Sequence, residues 1–230
     1  MSEDRKVAVV IGATAGMGWE TAIDLARDHD VIAVGRSRDA LDELGRRPFI
    51  RAVACDVFDA EQREQLAREL TRVDVLVHAA SGTTSGPDVD AAAWRQMLEV
   101  FVIGPAELTR LLLPQLRASS GTVVFIGSGA GTRPVPGMAL YAAAKHGLRG
   151  YADTLRIDEA GSGIRVATVA PGPTDTPGAR RGHEAAGVEF EAERFIQPAS
   201  VARAVRFVVD ASPDAHITDV AVRPRTEFSR

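Results

Sequence analysis

The sequence predicts an α/β domain: one doubly wound, seven-stranded parallel sheet flanked by helices on both faces. Three observations carry this. Short apolar runs rich in Val, Ile and Ala alternate with longer amphipathic stretches, the pattern of strand–helix–strand units buried on both sides. Gly12, Gly16 and Gly18 cluster between the first apolar run and the first amphipathic one. The 230 residues, 45% hydrophobic and 25% charged, suit one large core, with no linker, repeat or low-complexity tract to divide it.

Taken in order, residues 7–11 form the first strand and residues 19–27 belong to the first helix. Residues 31–34 and 49–54 are the second and third strands, separated by a short helix at 40–44. A helix at 60–70 leads to the fourth strand at 73–79. A long helical stretch at 91–113 follows, kinked at Gly104-Pro105 and stopped by Pro114. The fifth strand, 122–126, is β-branched and closed by Gly127; the glycines and prolines between 129 and 137 mark an irregular loop. The next helix runs to about residue 160 and ends at Gly161-Ser162-Gly163. The sixth strand spans 164–169. Residues 178–196 are polar with two further glycines and read as a mobile segment. Pro198 opens a last helix to about 209, before a seventh strand at 217–222.

Charge and cysteine content exclude several classes. A net charge of −4 with scattered Lys and Arg gives no basic patch for nucleic acid or a membrane surface. Cys55 is the single cysteine, so no internal disulfide forms, and the five histidines show no metal-ligand spacing. Lys6 and the apolar run to Ala13-Thr14-Ala15 have the outline of a secretory leader. Glu3 and Asp4 stand where such a leader is basic, however, and the run dissolves into glycines. No run reaches the ~18 apolar residues of a membrane helix. The expectation is a cytoplasmic protein.

Two stretches carry chemistry. In the first, Gly12, Gly16 and Gly18 let backbone N–H groups and a helix N-terminus approach a pyrophosphate; a tight strand-to-helix turn is the alternative reading, and position after the first strand of the series favours the dinucleotide. At the end of the second strand stand Gly35, Arg36, Ser37 and Arg38, with no carboxylate before Asp39. A carboxylate there would hold ribose hydroxyls, whereas the Arg36 guanidinium suits a 2′-phosphate. NADP(H) is therefore expected over NAD(H). Asp56, past the third strand, is placed either to accept from an adenine amino group or to cap a helix. In the second stretch, Ser128 ends the fifth strand, and Tyr141 and Lys145, four residues apart, share a helix face. A hydroxyl, a phenol and an ammonium could thus converge in one cleft.

These motifs, in this order, resemble the short-chain dehydrogenase/reductases over nearly the whole chain: GATAGMG from Gly12, Cys55-Asp56-Val57, DVLVHAASG from Asp74, Ser128, YAAAK from Tyr141 and APGPTDT from Ala170. The resemblance implies a Rossmann-type fold and interconversion of a small-molecule carbonyl and alcohol with a nicotinamide cofactor. Tyr141 is then the acid/base, Lys145 lowers its pKa and holds the nicotinamide ribose, and Ser128 donates to the substrate oxygen. The cofactor would lie along Gly12, Thr14, Gly16, Met17, Gly18, Arg36, Asp56, Val57, Ala79, Ala80, Pro171, Gly172, Thr174 and Thr176, together with Tyr141 and Lys145. Residues 178–196 become the substrate lid, and a homodimer or homotetramer is expected. Three positions depart from the family pattern: Phe101 where an Asn usually completes a tetrad and a water chain, His78-Ala79 where two Asn are usual, and Ile11 where Thr is. A nucleotide-binding sensor that has lost catalysis is the alternative these departures suggest.

Overall fold

The computed structural model describes residues 5–81 and 90–226. Its seven strands are β1 (Lys6–Ile11), β2 (His29–Gly35), β3 (Ile50–Ala54), β4 (Val75–His78), β5 (Thr122–Ile126), β6 (Arg165–Pro171) and β7 (Asp219–Val222). All pair in parallel, in the order β3-β2-β1-β4-β5-β6-β7. The helices are α1 (Gly16–Leu25), α2 (Arg38–Gly45), α3 (Ala60–Glu69), α4 (Ala91–Leu98), α5 (Gly104–Ser119), α6 (Ala139–Asp158), α7 (Pro177–Ala186) and α8 (Pro198–Val209).

The apolar runs are continuous because both sheet faces are buried. Successive strand residues point to opposite sides. Val7, Val9 and Ile11 of β1 join Leu76, Val123 and Phe125 against α3, α5 and α6. Ala8 and Val10 join Val31, Val77 and Val124 against α1 and α8. The strand order reverses between β1 and β4, so a crevice opens at their C-terminal ends, the topological switch point. The glycine loop after β1, Asp56-Val57 after β3, Ala79-Ala80 after β4, Ser128 after β5 and Gly172 after β6 follow the strand ends on that edge.

Pro114 does not stop its helix: α5 runs through it to Ser119. Residues 110 and 114 are both exposed, so the backbone acceptor freed at position 110 faces solvent and the disruption is tolerated. The break falls earlier, where Glu99–Ile103 widen into a π-helical turn before Gly104. Pro105 has no N–H to give the carbonyl at 101, and its ring would clash there; one wider turn relieves both. The 178–196 segment is also more regular than its polarity suggests. It carries α7, capped by the Thr176 hydroxyl accepting from the Ala179 N–H at 3.1 Å. Behind α7, His183, Phe190 and Phe195 pack together, with the two phenyl rings stacked at 4.2 Å.

Candidate active site

The glycine loop is shaped for close backbone approach. Gly12 has φ +80° and its N–H donates to the Val34 carbonyl at 2.9 Å. A Cβ at Gly12 would lie 2.5 Å from the Ala80 backbone, and one at Gly18 would lie 2.2 Å from the Gly12 carbonyl oxygen. No side chain fits at either position. α1 begins with Ala15 as its N-cap, without a side-chain cap and without an acidic residue in its first turn. Its first N–H groups are therefore free to meet an anion, and the donor set fits a dinucleotide pyrophosphate. Thr14 and Met17 are half-buried beside this turn. Thr176, from the start of α7, comes against Gly16, its Cγ2 3.0 Å from where a Cβ would stand there.

At the adenosine end, Arg36 is exposed and lies 3.6 Å from Asp56, with its guanidinium 5.8 Å from the Phe58 ring. Asp56 is not the helix cap that was its alternative role. Asp59 caps α3 by accepting from the Gln62 N–H at 3.0 Å, and Asp56 accepts from the Phe58 N–H at 3.1 Å. Val57 is buried beneath it. Two residues absent from the expected cofactor contacts, Ser37 and Arg38, follow Arg36 directly. Ser37 precedes α2 without making a side-chain cap, and Arg38 opens that helix. Hydroxyl, guanidinium and free helix N–H groups thus sit together.

Ala79 is buried, its N–H donating to the Ile11 carbonyl at 2.9 Å, and Ala80 backs Gly12. Gly82 of the same motif lies outside the described residues. His78 is a structural residue. Its ring stacks on Phe125 at 5.0 Å, and its Nε2 meets Thr109 Oγ1 at 2.9 Å. The Thr109 hydroxyl donates to the Pro105 carbonyl at 2.7 Å, so Nε2–H is the donor to Thr109. Burial pushes the His78 pKa down to about 3, so the imidazole stays neutral. Beyond β6, the Gly172 N–H donates to the Val222 carbonyl at 2.7 Å, and the Thr174 hydroxyl donates to the Gly172 carbonyl at 2.9 Å. Pro171 ends the strand itself.

Ser128, Tyr141 and Lys145 do converge. Ser128 leaves β5 in extended conformation, and its Oγ accepts from the Ala130 N–H at 3.1 Å, which leaves its own proton free to donate. Lys145 is 4% exposed, and its ammonium donates to the Ile126 carbonyl at 2.9 Å. Burial raises the Tyr141 pKa, with hydrogen bonding to Ser128 opposing the shift. Lys145 does not offset that burial here. Its Nζ lies over the Tyr141 ring, 5.8 Å from the centroid, and is bonded to a carbonyl instead. Burial pushes Lys145 itself down to about 7.

Phe101 explains how a buried ammonium is tolerated. Nζ stands 4.1 Å from the centroid of its ring, whose edge-to-face contact with Tyr141 is 5.6 Å between centroids. The negative ring face favours the cation, by about 2 kcal/mol for a desolvated pair. Phe101 sits in the π-helical turn and is itself buried. A cavity of about 10 Å³ beside it, lined by His78, Phe101, Ile126 and Lys145 among apolar side chains, is at the lower limit for one water and cannot hold a chain of them. The sequence shows Phe101 only as a departure. Its ring contact with Lys145 depends on the turn. If the ring holds the cation, Phe101→Leu should draw the alkaline fall of kcat/KM downward by about one pH unit, while Phe101→Tyr should keep it. A pH–rate profile of the three proteins measures this.

Among the described residues no cluster could hold a metal ion, and no helix is long and apolar enough to cross a membrane. A switch-point crevice with an open anion-binding turn and a Ser–Tyr–Lys cluster beside it defines a dinucleotide-dependent oxidoreductase. Comparison with known proteins agrees. The sequence profile of the short chain dehydrogenases matches residues 6–186. The chain is 34% identical over 98% of its length to an uncharacterised oxidoreductase of Mycobacterium tuberculosis, spanning 93% of that protein. It is 30% identical over 96% of its length to glycine betaine reductase ATRR of Emericella nidulans, of which it spans only 19%. A solved structure described as a short-chain dehydrogenase/reductase from Corynebacterium glutamicum matches with TM-score 0.76 and 42% identity, covering 96% of this chain and all of that one. An actinorhodin polyketide ketoreductase with NADPH matches with TM-score 0.87 and 26% identity, over 97% of both chains. The chain belongs to the short-chain dehydrogenase/reductase family.

Proposed function

We propose that this protein is an NADP(H)-dependent oxidoreductase that interconverts a carbonyl and an alcohol. The observation that carries the reading is the Ser128–Tyr141–Lys145 cluster at the switch-point edge, with Lys145 held on both sides by Ile126 and Phe101. A bound nicotinamide supplies or accepts the hydride. In reduction, Tyr141 gives its phenolic proton to the carbonyl oxygen, and Ser128 donates a hydrogen bond to that oxygen as charge develops on it. Lys145 would hold the nicotinamide ribose, while the Ser128 hydroxyl, which opposes the burial shift of Tyr141, bonds the phenolate left behind. With burial raising its pKa, Tyr141 is protonated at neutral pH, the state that reduction needs.

The cofactor would lie across Gly12, Thr14, Gly16, Met17 and Gly18, with Asp56, Val57, Ala79 and Ala80 around the adenosine and Pro171, Gly172, Thr174 and Thr176 near the nicotinamide. Arg36, Arg38 and Ser37 support the choice of NADP(H), as does the NADPH in the ketoreductase structure. Arg36→Leu should weaken NADPH binding by about 10- to 100-fold, and NADH binding far less, as read by fluorescence titration. Residues 178–196, with α7, would close over the substrate. A homodimer or homotetramer would follow the family pattern.

NADPH oxidation over a panel of aldehydes and ketones tests the function. Substrate-dependent oxidation is expected. Tight NADPH binding with no turnover across the panel would instead point to a nucleotide sensor.

A further inference from the structure

Arg223 follows β7 directly, and its guanidinium lies beside the turn after Ser128. A Cβ at Gly129, the residue after Ser128, would stand 2.6 Å from Arg223 Nη1 and 2.9 Å from its Nη2. A Cβ at Gly172, the residue after β6, would stand 3.6 Å from the same Nη1, 3.0 Å from Pro224 Cδ and 3.6 Å from Ile196 Cδ1. The guanidinium therefore lies between the turn after Ser128, the loop after β6 and the far end of the 178–196 segment. Only a missing side chain at 129 leaves it this room. Its root is fixed by strand pairing: Pro171 pairs with Val222, whose carbonyl accepts from the Gly172 N–H at 2.7 Å.

Two other arginines around these strands and loops are paired. Arg149 meets Asp219 at 2.7 Å, and Arg180 meets Asp175 at 2.7 Å. Arg223 is exposed, and no carboxylate among the described residues pairs with it. Arg133, in the loop after Ser128, and Arg225 are likewise without an ion-pair partner among the described residues. Beside the candidate catalytic serine, a planar cation with five donors and no internal acceptor is a recognition group for an oxyanion.

We propose that Arg223 is the anion-recognising residue of the substrate cleft, and that the substrate is a carbonyl compound or alcohol carrying a carboxylate or phosphate. This rests on the oxidoreductase reading above. The full chain, Arg223→Met and Arg223→Lys are assayed with NADPH on two matched pairs. These are acetoacetate against methyl acetoacetate, and dihydroxyacetone phosphate against dihydroxyacetone. The wild-type protein should prefer the anionic member of one pair by at least about tenfold in kcat/KM, and that pair identifies the anion. Arg223→Met should cut the preference to within about threefold. Arg223→Lys, which keeps charge without the fork, should retain part of it. No preference in the wild type, or an equal loss on both members of a pair, overturns the proposal. If no pair is turned over, the oxidoreductase reading fails for these substrates. Calorimetric titration of acetoacetate and dihydroxyacetone phosphate into the NADP-loaded protein then decides separately. Binding that Arg223→Met weakens about tenfold supports the anion site, and unchanged or absent binding overturns it.

Discussion

Tyr141→Phe should lower carbonyl reduction by about 10²- to 10⁴-fold while NADPH binds nearly as tightly as before. The substitution removes one oxygen and its proton and keeps the ring against Phe101, so the local packing survives. Nothing else in the cluster can replace the donor. Ser128 lacks an acidic proton, and Lys145 is turned toward the Ile126 carbonyl at 2.9 Å. The pH dependence follows from the same burial. Because the Tyr141 pKa is raised, its protonated form persists through neutral pH; the fall of reduction with rising pH should then follow the Lys145 ammonium, which burial holds near 7, whereas the phenolate that alcohol oxidation needs forms only on the alkaline side. Steady-state rates in both directions, with a parallel NADPH titration, check this. Turnover that survives in Tyr141→Phe would overturn the assigned chemistry.

Lys145→Met should abolish measurable turnover, a loss of about 10²-fold or more, and yet make the nucleotide-free protein more stable at pH 6. In the folded chain burial holds the Lys145 pKa near 7, against 10.5 for the free side chain. Between those values the unfolded chain binds the extra proton, so wild-type stability rises with pH across that window. Below it the folded protein carries a buried ammonium. The Phe101 ring and the Ile126 carbonyl offset only part of its desolvation. Met removes that cost, with an expected gain on the order of 1–3 kcal/mol at pH 6 that shrinks toward pH 10. Urea unfolding at pH 6, 8 and 10 measures the difference. A variant less stable than wild type at pH 6 would show that the ring and carbonyl more than balance the burial.

How far the sequence carries can be seen at particular residues. The strand at 122–126 and the helix opened by Pro198 and closed at Val209 are where the pattern puts them, since β-branched runs and a Pro at the first helical position are local signals. Pro114 misleads because breaking a helix depends on whether the freed acceptor is buried, and here it faces water. α7 is hidden in a polar segment whose ordering comes from the Thr176 cap and from three aromatic rings spaced well apart in sequence. Asp56 and Arg36 are read separately in the sequence, yet they face each other, because β2 and β3 are neighbours in the sheet.

Alternation of apolar runs, three glycines after the first of them and the Ser128–Tyr141–Lys145 spacing determine the sheet, the nucleotide crevice and the three polar groups of the cluster. Those are statements about neighbours along the chain, which periodicity and spacing record directly. What only the tertiary structure decides is how each group is held. Lys145 rests on a backbone carbonyl of β5 and on a ring from the turn before α5, and Arg223 reaches Gly129 from the end of the last strand. Such contacts join residues 19 or more positions apart through backbone atoms and ring faces that carry no sequence signature. They exist only once the strands have taken their order.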